Sequence, residues 1–137
     1  MINIEDLVDV EDANIIEDDW ELYKIFKPMK IFGKELESLF DVGIHKAWKL
    51  EDIINNLKEH VTILSDSKES LKNAYGDFMF IDVDDDWYDS LEIYKILIKI
   101  NEDGSIESKV DCGDNDNIFS VYFKNNDIIN IMESKIR

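Results

Sequence analysis

Between residues 82 and 89 the chain reads Asp-Val-Asp-Asp-Asp-Trp-Tyr-Asp, five carboxylates around two large aromatic rings. Carboxylates this dense suit divalent-cation ligation, or the capture of a basic protein whose contact is anchored by the rings. A calcium loop of the EF-hand kind starting at Asp82 requires Gly at its sixth position and Glu at its twelfth. The chain has Trp87 and Ile93 there. A looser cation site from Asp84, Asp86 and Asp89, helped by Asp114 or Asp116, is the remaining metal reading. Otherwise Asp82, Asp84, Asp85, Asp86, Trp87, Tyr88 and Asp89 form a partner-binding surface, set against the plainer expectation that the rings fold back onto a sheet edge.

Other residues that could do chemistry are sparse. The two imidazoles, His45 and His60, sit in no nucleophile motif, and His60 is placed at a helix C-terminus, where it meets the dipole. The five glycines are scattered at turns and build no phosphate cradle. Cys112 is the only cysteine, so it forms no internal disulfide, and neighbouring acids raise its pKa. The segment Asp111–Asn117 has the composition that any tight turn needs. Carboxylate pairs abound, but nothing selects a glycosidase-like pair. The expectation is a protein without catalytic residues, metal or cofactor.

Charge is the dominant signal. There are 32 acidic and 15 basic residues, net −17 over 137 positions. Residues 1–23 hold nine carboxylates and residues 73–93 hold seven, with no Lys or Arg in either block. Clustered charge of one sign attracts basic partners and repels nucleic acid and anionic membranes. Glu17, Asp18, Asp19 and Glu21 of the first block form a second acidic surface, although acids near helix starts also act as caps. Fourteen of the fifteen cations are Lys, which removes the guanidinium forks that phosphate recognition favours and suggests an AT-rich bacterial genome.

The elements that must position these residues follow from length and pattern. With 137 residues, 45% of them hydrophobic, the chain has enough apolar material for one folded domain, 1–137. The start lacks the basic and apolar regions of a signal peptide, and no run is long enough to span a membrane, so a cytoplasmic location is expected. The expected fold is α+β, with N-terminal helices packed on a roughly four-stranded antiparallel meander from the C-terminal half. Ile15, Ile16, Trp20 and Tyr23 share one helical face, and a short helix is predicted over Lys34–Phe40. A helix over Leu50–His60 carries the stripe Leu50, Ile53, Ile54, Leu57, Val61. Another, Lys68–Tyr75, is expected to end at Gly76. Strands are predicted at Phe78–Val83, Leu91–Ile100, Ile106–Cys112 and around Phe119–Phe123, with a hairpin turn at Asn101–Gly104 and a last short helix over Asp127–Ile136.

The stretch DDWYDSLEIYKILIKINEDGSIESKVD resembles the acidic loop, long strand and DGS-type hairpin of several immunity proteins from bacterial toxin–immunity systems. The resemblance covers mainly residues 77–124. It implies a module that binds a basic toxin domain, a nuclease in particular, and occludes its active site. A DNA mimic, a metal-dependent enzyme or ligand-binding domain using Asp82–Asp89, and an acidic subunit of a larger assembly are the alternatives.

Overall fold

A computed structural model describes residues 6–9, 19–25, 28–36, 40–114 and 117–133. The strands are β1 (Leu7–Asp9), β2 (Trp20–Ile25), β3 (Met29–Ile31), β4 (Lys34–Leu36) and β5 (Phe40–His45). Three helices follow, α1 (Leu50–Ser65), α2 (Lys68–Met79) and α3 (Asp85–Ser90). The chain then returns to strands, β6 (Glu92–Ile100), β7 (Ile106–Gly113), β8 (Ile118–Lys124) and β9 (Asp127–Glu133).

Seven strands form one mixed sheet in the order β1-β2-β5-β6-β7-β8-β9, and β3 and β4 form a separate hairpin. Every pairing in the large sheet is antiparallel except β5 with β6, which run parallel and are joined through the three helices. This overturns the expected architecture. Strands dominate, the helices lie mid-chain, and the sheet is mixed rather than a four-stranded meander with N-terminal helices.

Four local expectations change with it. Trp20 and Tyr23 belong to β2, where Tyr23 and Ile25 are buried on alternate positions. A six-residue stretch is too short to be helical without support, whereas pairing with β1 and β5 satisfies its backbone on both sides. The proposed start of that helix, Asp12 to Ile16, lies outside the described residues. Lys34–Leu36 is strand, because Phe32 and Gly33 both take positive φ (51° and 74°) and close a two-residue hairpin turn with β3. Phe78–Val83 is the end of α2 and a loop. Asp127–Glu133 is strand, turned back by Asn125 at φ 54°.

The helices meet one face of the sheet. Ile53, Ile54, Leu57, His60 and Leu64 make the buried stripe of α1. His60 is therefore mid-helix and 1% exposed, not at a helix end. Its Nε2 lies 2.9 Å from Ser108 Oγ of β7, and its ring meets Phe123 of β8 edge-on. Burial lowers its pKa, with the Asn125–Asn126 turn working the other way, and Nδ1 has no hydrogen-bond partner of good geometry. The β3–β4 turn closes the other end of α1: the Phe32 and Gly33 amides donate to the Leu64 and Ser65 carbonyls at 3.0 and 3.1 Å. Those carbonyls would otherwise be orphaned at the helix terminus.

The opposite sheet face carries paired charge. Asp41 accepts Lys24 at 3.1 Å and Lys95 at 3.5 Å, and Lys99 sits over the Trp20 ring at 4.7 Å. Among the described residues, no helix is long and apolar enough to cross a membrane.

Candidate partner-binding surface

The 82–89 stretch is organised from its third residue. Asp84 is extended and its Oδ1 accepts the Trp87 amide at 2.9 Å, so it caps α3. Starting α3 there swings Trp87 and Tyr88 inward. The Trp87 indole stacks on Tyr75 of α2, ring centroids 4.4 Å apart, and lies nearly parallel to Phe119 of β8. Its Nε1 donates to Asp114 Oδ2 at 2.9 Å, and the Tyr75 hydroxyl donates to the same oxygen at 3.0 Å. Asp114 Oδ1 accepts the Asn117 amide at 2.7 Å, which holds the turn in place. Burial, followed by donation to Asp114, pushes the Tyr75 phenol up to about 12.

Tyr88 is buried. The ammonium groups of Lys68 and Lys34 lie 5.2 and 5.8 Å from its ring centre, and Lys34 donates to the Asp89 carbonyl at 2.9 Å. Burial first, then Asp89 and Asp66, raises its pKa. Of the predicted contact residues, Tyr88 is buried and Trp87 is half-buried against the core.

The acids divide into two groups. Asp85 is exposed but engaged: Lys72 lies at 2.7 Å and Lys68 at 3.3 Å, which together hold its carboxyl below the usual range. Asp82, Asp86 and Asp89 stay exposed and make no ion pair among the described residues, as does Asp77 one turn before the end of α2. No group of three or more His, Cys, Asp or Glu side chains is arranged to hold a metal among the described residues. Asp84, one of the three carboxylates of the looser cation site, accepts the Trp87 amide, and Asp114, one of its two alternative helpers, accepts Trp87 and Tyr75. Asp116 lies outside the described residues.

The most exposed aromatic among the described residues is one that the sequence reading assigned to a strand. Phe80 closes α2 in the left-handed conformation, φ 56° and ψ 44°, and is 94% exposed. Ile81 beside it is 51% exposed, and its amide donates back to the Gly76 carbonyl at 3.0 Å. Gly76 does not end the helix. A Cβ there would stand 2.9 Å from the Ile81 carbonyl oxygen and 3.0 Å from Val83 Cγ2, so glycine lets the loop fold back this closely. The loop forms a tip, Phe80–Ile81, flanked by Asp77 and Asp82 in the same surface recesses. Helical phase carried the signal for it: Leu71 and Tyr75 set a stripe that continues to Met79 and leaves Phe80 off the buried face.

The second acidic surface is only partly within view. Asp19 and Glu21 are exposed, with Glu21 accepting the Tyr23 hydroxyl at 2.6 Å; Glu17 and Asp18 lie outside the described residues. Strand β2, which carries Glu21, is four positions from β8 in the sheet, on the order of 19 Å, so the sheet does not bring Glu21 beside Phe119, against which Trp87 of the 82–89 stretch packs. Cys112 is fully buried on β7, and burial, more than Asp111 or Asp114, drives its thiol pKa far up. That makes it an unreactive thiol. No protein-family model, no curated protein and no solved structure matches this chain.

Proposed function

We propose that this chain is an acidic protein-binding module that engages a basic partner through the Phe80–Ile81 tip and the carboxylates Asp77, Asp82, Asp86 and Asp89. The observation that carries the reading is Phe80, an aromatic side chain 94% exposed on a backbone conformation that L-residues disfavour. Neither feature stabilises the free molecule, and the two together suit an anchor that is buried only in a complex. The exposed carboxylates Asp77 and Asp82, which share its surface recess, would speed encounter with a cation-rich surface and orient it.

The class of module is an immunity protein that occupies the phosphate-attracting cleft of a toxin, most plainly a nuclease, in the cytoplasm of an AT-rich bacterium. Nucleic acid and membranes are not partners on this reading, since the net charge of −17 repels both. The test is co-purification with a basic domain encoded next to this gene, followed by titration calorimetry of Phe80→Gly and of the combined Asp82→Lys and Asp86→Lys variant. Loss of affinity in the first, and a slower, less salt-dependent association in the second, is expected. Unchanged binding in both would remove the tip from the interface.

A further inference from the structure

Strands β6 and β7 turn their buried positions toward the helices. The opposite face of the sheet therefore carries Lys95, Leu97 and Lys99, set against Asp111, Lys109 and Glu107. Three cations outnumber two anions there, in a chain whose net charge is −17. On this face lies a groove of about 160 Å³, lined by the apolar Leu97, Tyr122 and Ile129 together with Lys99, Lys109 and Glu107. Ile129 is the extra residue of a bulge in β9 and is 59% exposed. Lys99 makes no ion pair among the described residues, and Lys109 is 3.7 Å from Asp111. Glu107 accepts the Asn101 side-chain amide at 3.1 Å.

A piece that matches this groove is carried by the same chain. The Phe80–Ile81 tip presents a ring that is 94% exposed, with Asp77 and Asp82 in the same recess. Neither carboxylate makes an ion pair among the described residues. A cavity of about 150 Å³ is large enough to take benzene, so the groove has room for a phenyl ring. Lysines on one side and carboxylates on the other make the two surfaces complementary in charge. The helices carry the tip on one side of the sheet and the groove opens on the other, so a chain cannot fill its own groove.

Repulsion between two acidic chains is screened beyond about 8 Å at physiological salt, so the groups that meet at the contact decide its outcome. We propose that the groove takes the Phe80–Ile81 tip of a second copy of this chain, with Lys99 and Lys109 meeting Asp77 and Asp82. The contact joins two different surfaces, tip to groove. A tip seated in this way is closed to a basic partner, so self-association and partner binding compete for Phe80.

Sedimentation velocity of the intact protein in physiological salt tests this with no partner added, so its failure and the failure of the basic-partner reading are distinguishable. The apparent mass of the native chain is expected to rise with protein concentration. Phe80→Gly is expected to weaken that association about thirtyfold or more, the loss of a hot-spot aromatic. The combined Lys99→Glu and Lys109→Glu variant should stay monomeric over the same range. Lys46→Glu with Lys49→Glu makes the same change of charge on exposed residues outside the groove, and it should associate like the native chain. An equimolar mixture of the tip variant and the groove variant brings an intact groove to an intact tip and is expected to give a 1:1 dimer. A monomeric native chain, a groove variant that still associates, or a mixture that fails to dimerise overturns the proposal. So does equal loss in the Lys46 and Lys49 variant, which would make net charge the cause. Association untouched by Phe80→Gly would join the copies through another surface and overturns it as well.

Discussion

The Trp87 indole lies on the Tyr75 phenol at a centroid separation of 4.4 Å and an interplanar angle of 25°, and both donate to Asp114 Oδ2. One carboxylate thus ties α2, α3 and the β7–β8 turn into a single unit. The acidic loop is held from behind by this arrangement, which leaves its front free.

Removing that carboxylate should loosen all three elements. Asp114→Ala leaves the indole N–H and the phenol O–H without their acceptor, and a cost of about 2–3 kcal/mol in unfolding free energy is expected. Urea denaturation checks it. A change under 0.5 kcal/mol, about the scatter of neutral surface substitutions, would mean the stack holds without its acceptor.

Phe80→Gly should separate stability from binding. Glycine relieves the left-handed backbone at no steric cost, so the variant is expected to gain up to about 1 kcal/mol while losing affinity for its partner. A rise in melting temperature together with weaker binding is the signature. A drop in melting temperature would show that the Phe80 ring stabilises the free protein.

Gly76→Ala tests the fold-back of the loop. Alanine favours a helix interior over glycine by about 1 kcal/mol. Here its methyl would collide with the Ile81 carbonyl and Val83, and the collision should win, with net destabilisation of about 1–2 kcal/mol. Stabilisation by the substitution would mean that the 80–83 loop moves away at little cost.

His60 predicts a pH dependence with a definite sign. Its folded pKa lies below 6.5, so between those values the unfolded chain binds a proton that the folded chain refuses. The His60 contribution to stability is complete above pH 6.5 and is lost as pH falls below it. Loss of carboxylate repulsion at lower pH acts in the opposite direction, so the contribution is read as a difference. Unfolding free energy from pH 7 to pH 5 should fall more steeply in the native protein than in His60→Gln, and parallel curves would refute the assignment.

The sequence was most legible where one element's own pattern decides its structure. The α1 stripe and the alternation of Ile96, Ile98 and Ile100 needed no knowledge of the rest of the chain, and α1 and β6 lie over those residues. It was least legible where distant partners decide. Trp20 and Tyr23 fit a helical face as well as a strand, and only the ladders to β1 and β5 settle the matter. The candidate site shows the same division. Its acids were located by composition, but Trp87 and Tyr88 turn inward through contacts with residues as distant as Phe119 and Lys34. Phe80 turns outward because helix α2 continues past Gly76.

The parallel pairing of β5 with β6 has a consequence for how the molecule comes together. On either side of it, β1-β2-β5 and β6-β7-β8-β9 are antiparallel groups drawn from opposite ends of the chain. The sheet is two separately zippered panels joined along a single seam, and the seam can close only after 46 intervening residues, from Lys46 to Leu91, have been gathered over it. Every connection within a panel is far shorter than the one across the seam, so the slow step of folding belongs to the seam. A chain cut in the Asp66–Ser67 connection would then yield two fragments, each carrying one panel and at least one helix, whose reunion measures that joint directly.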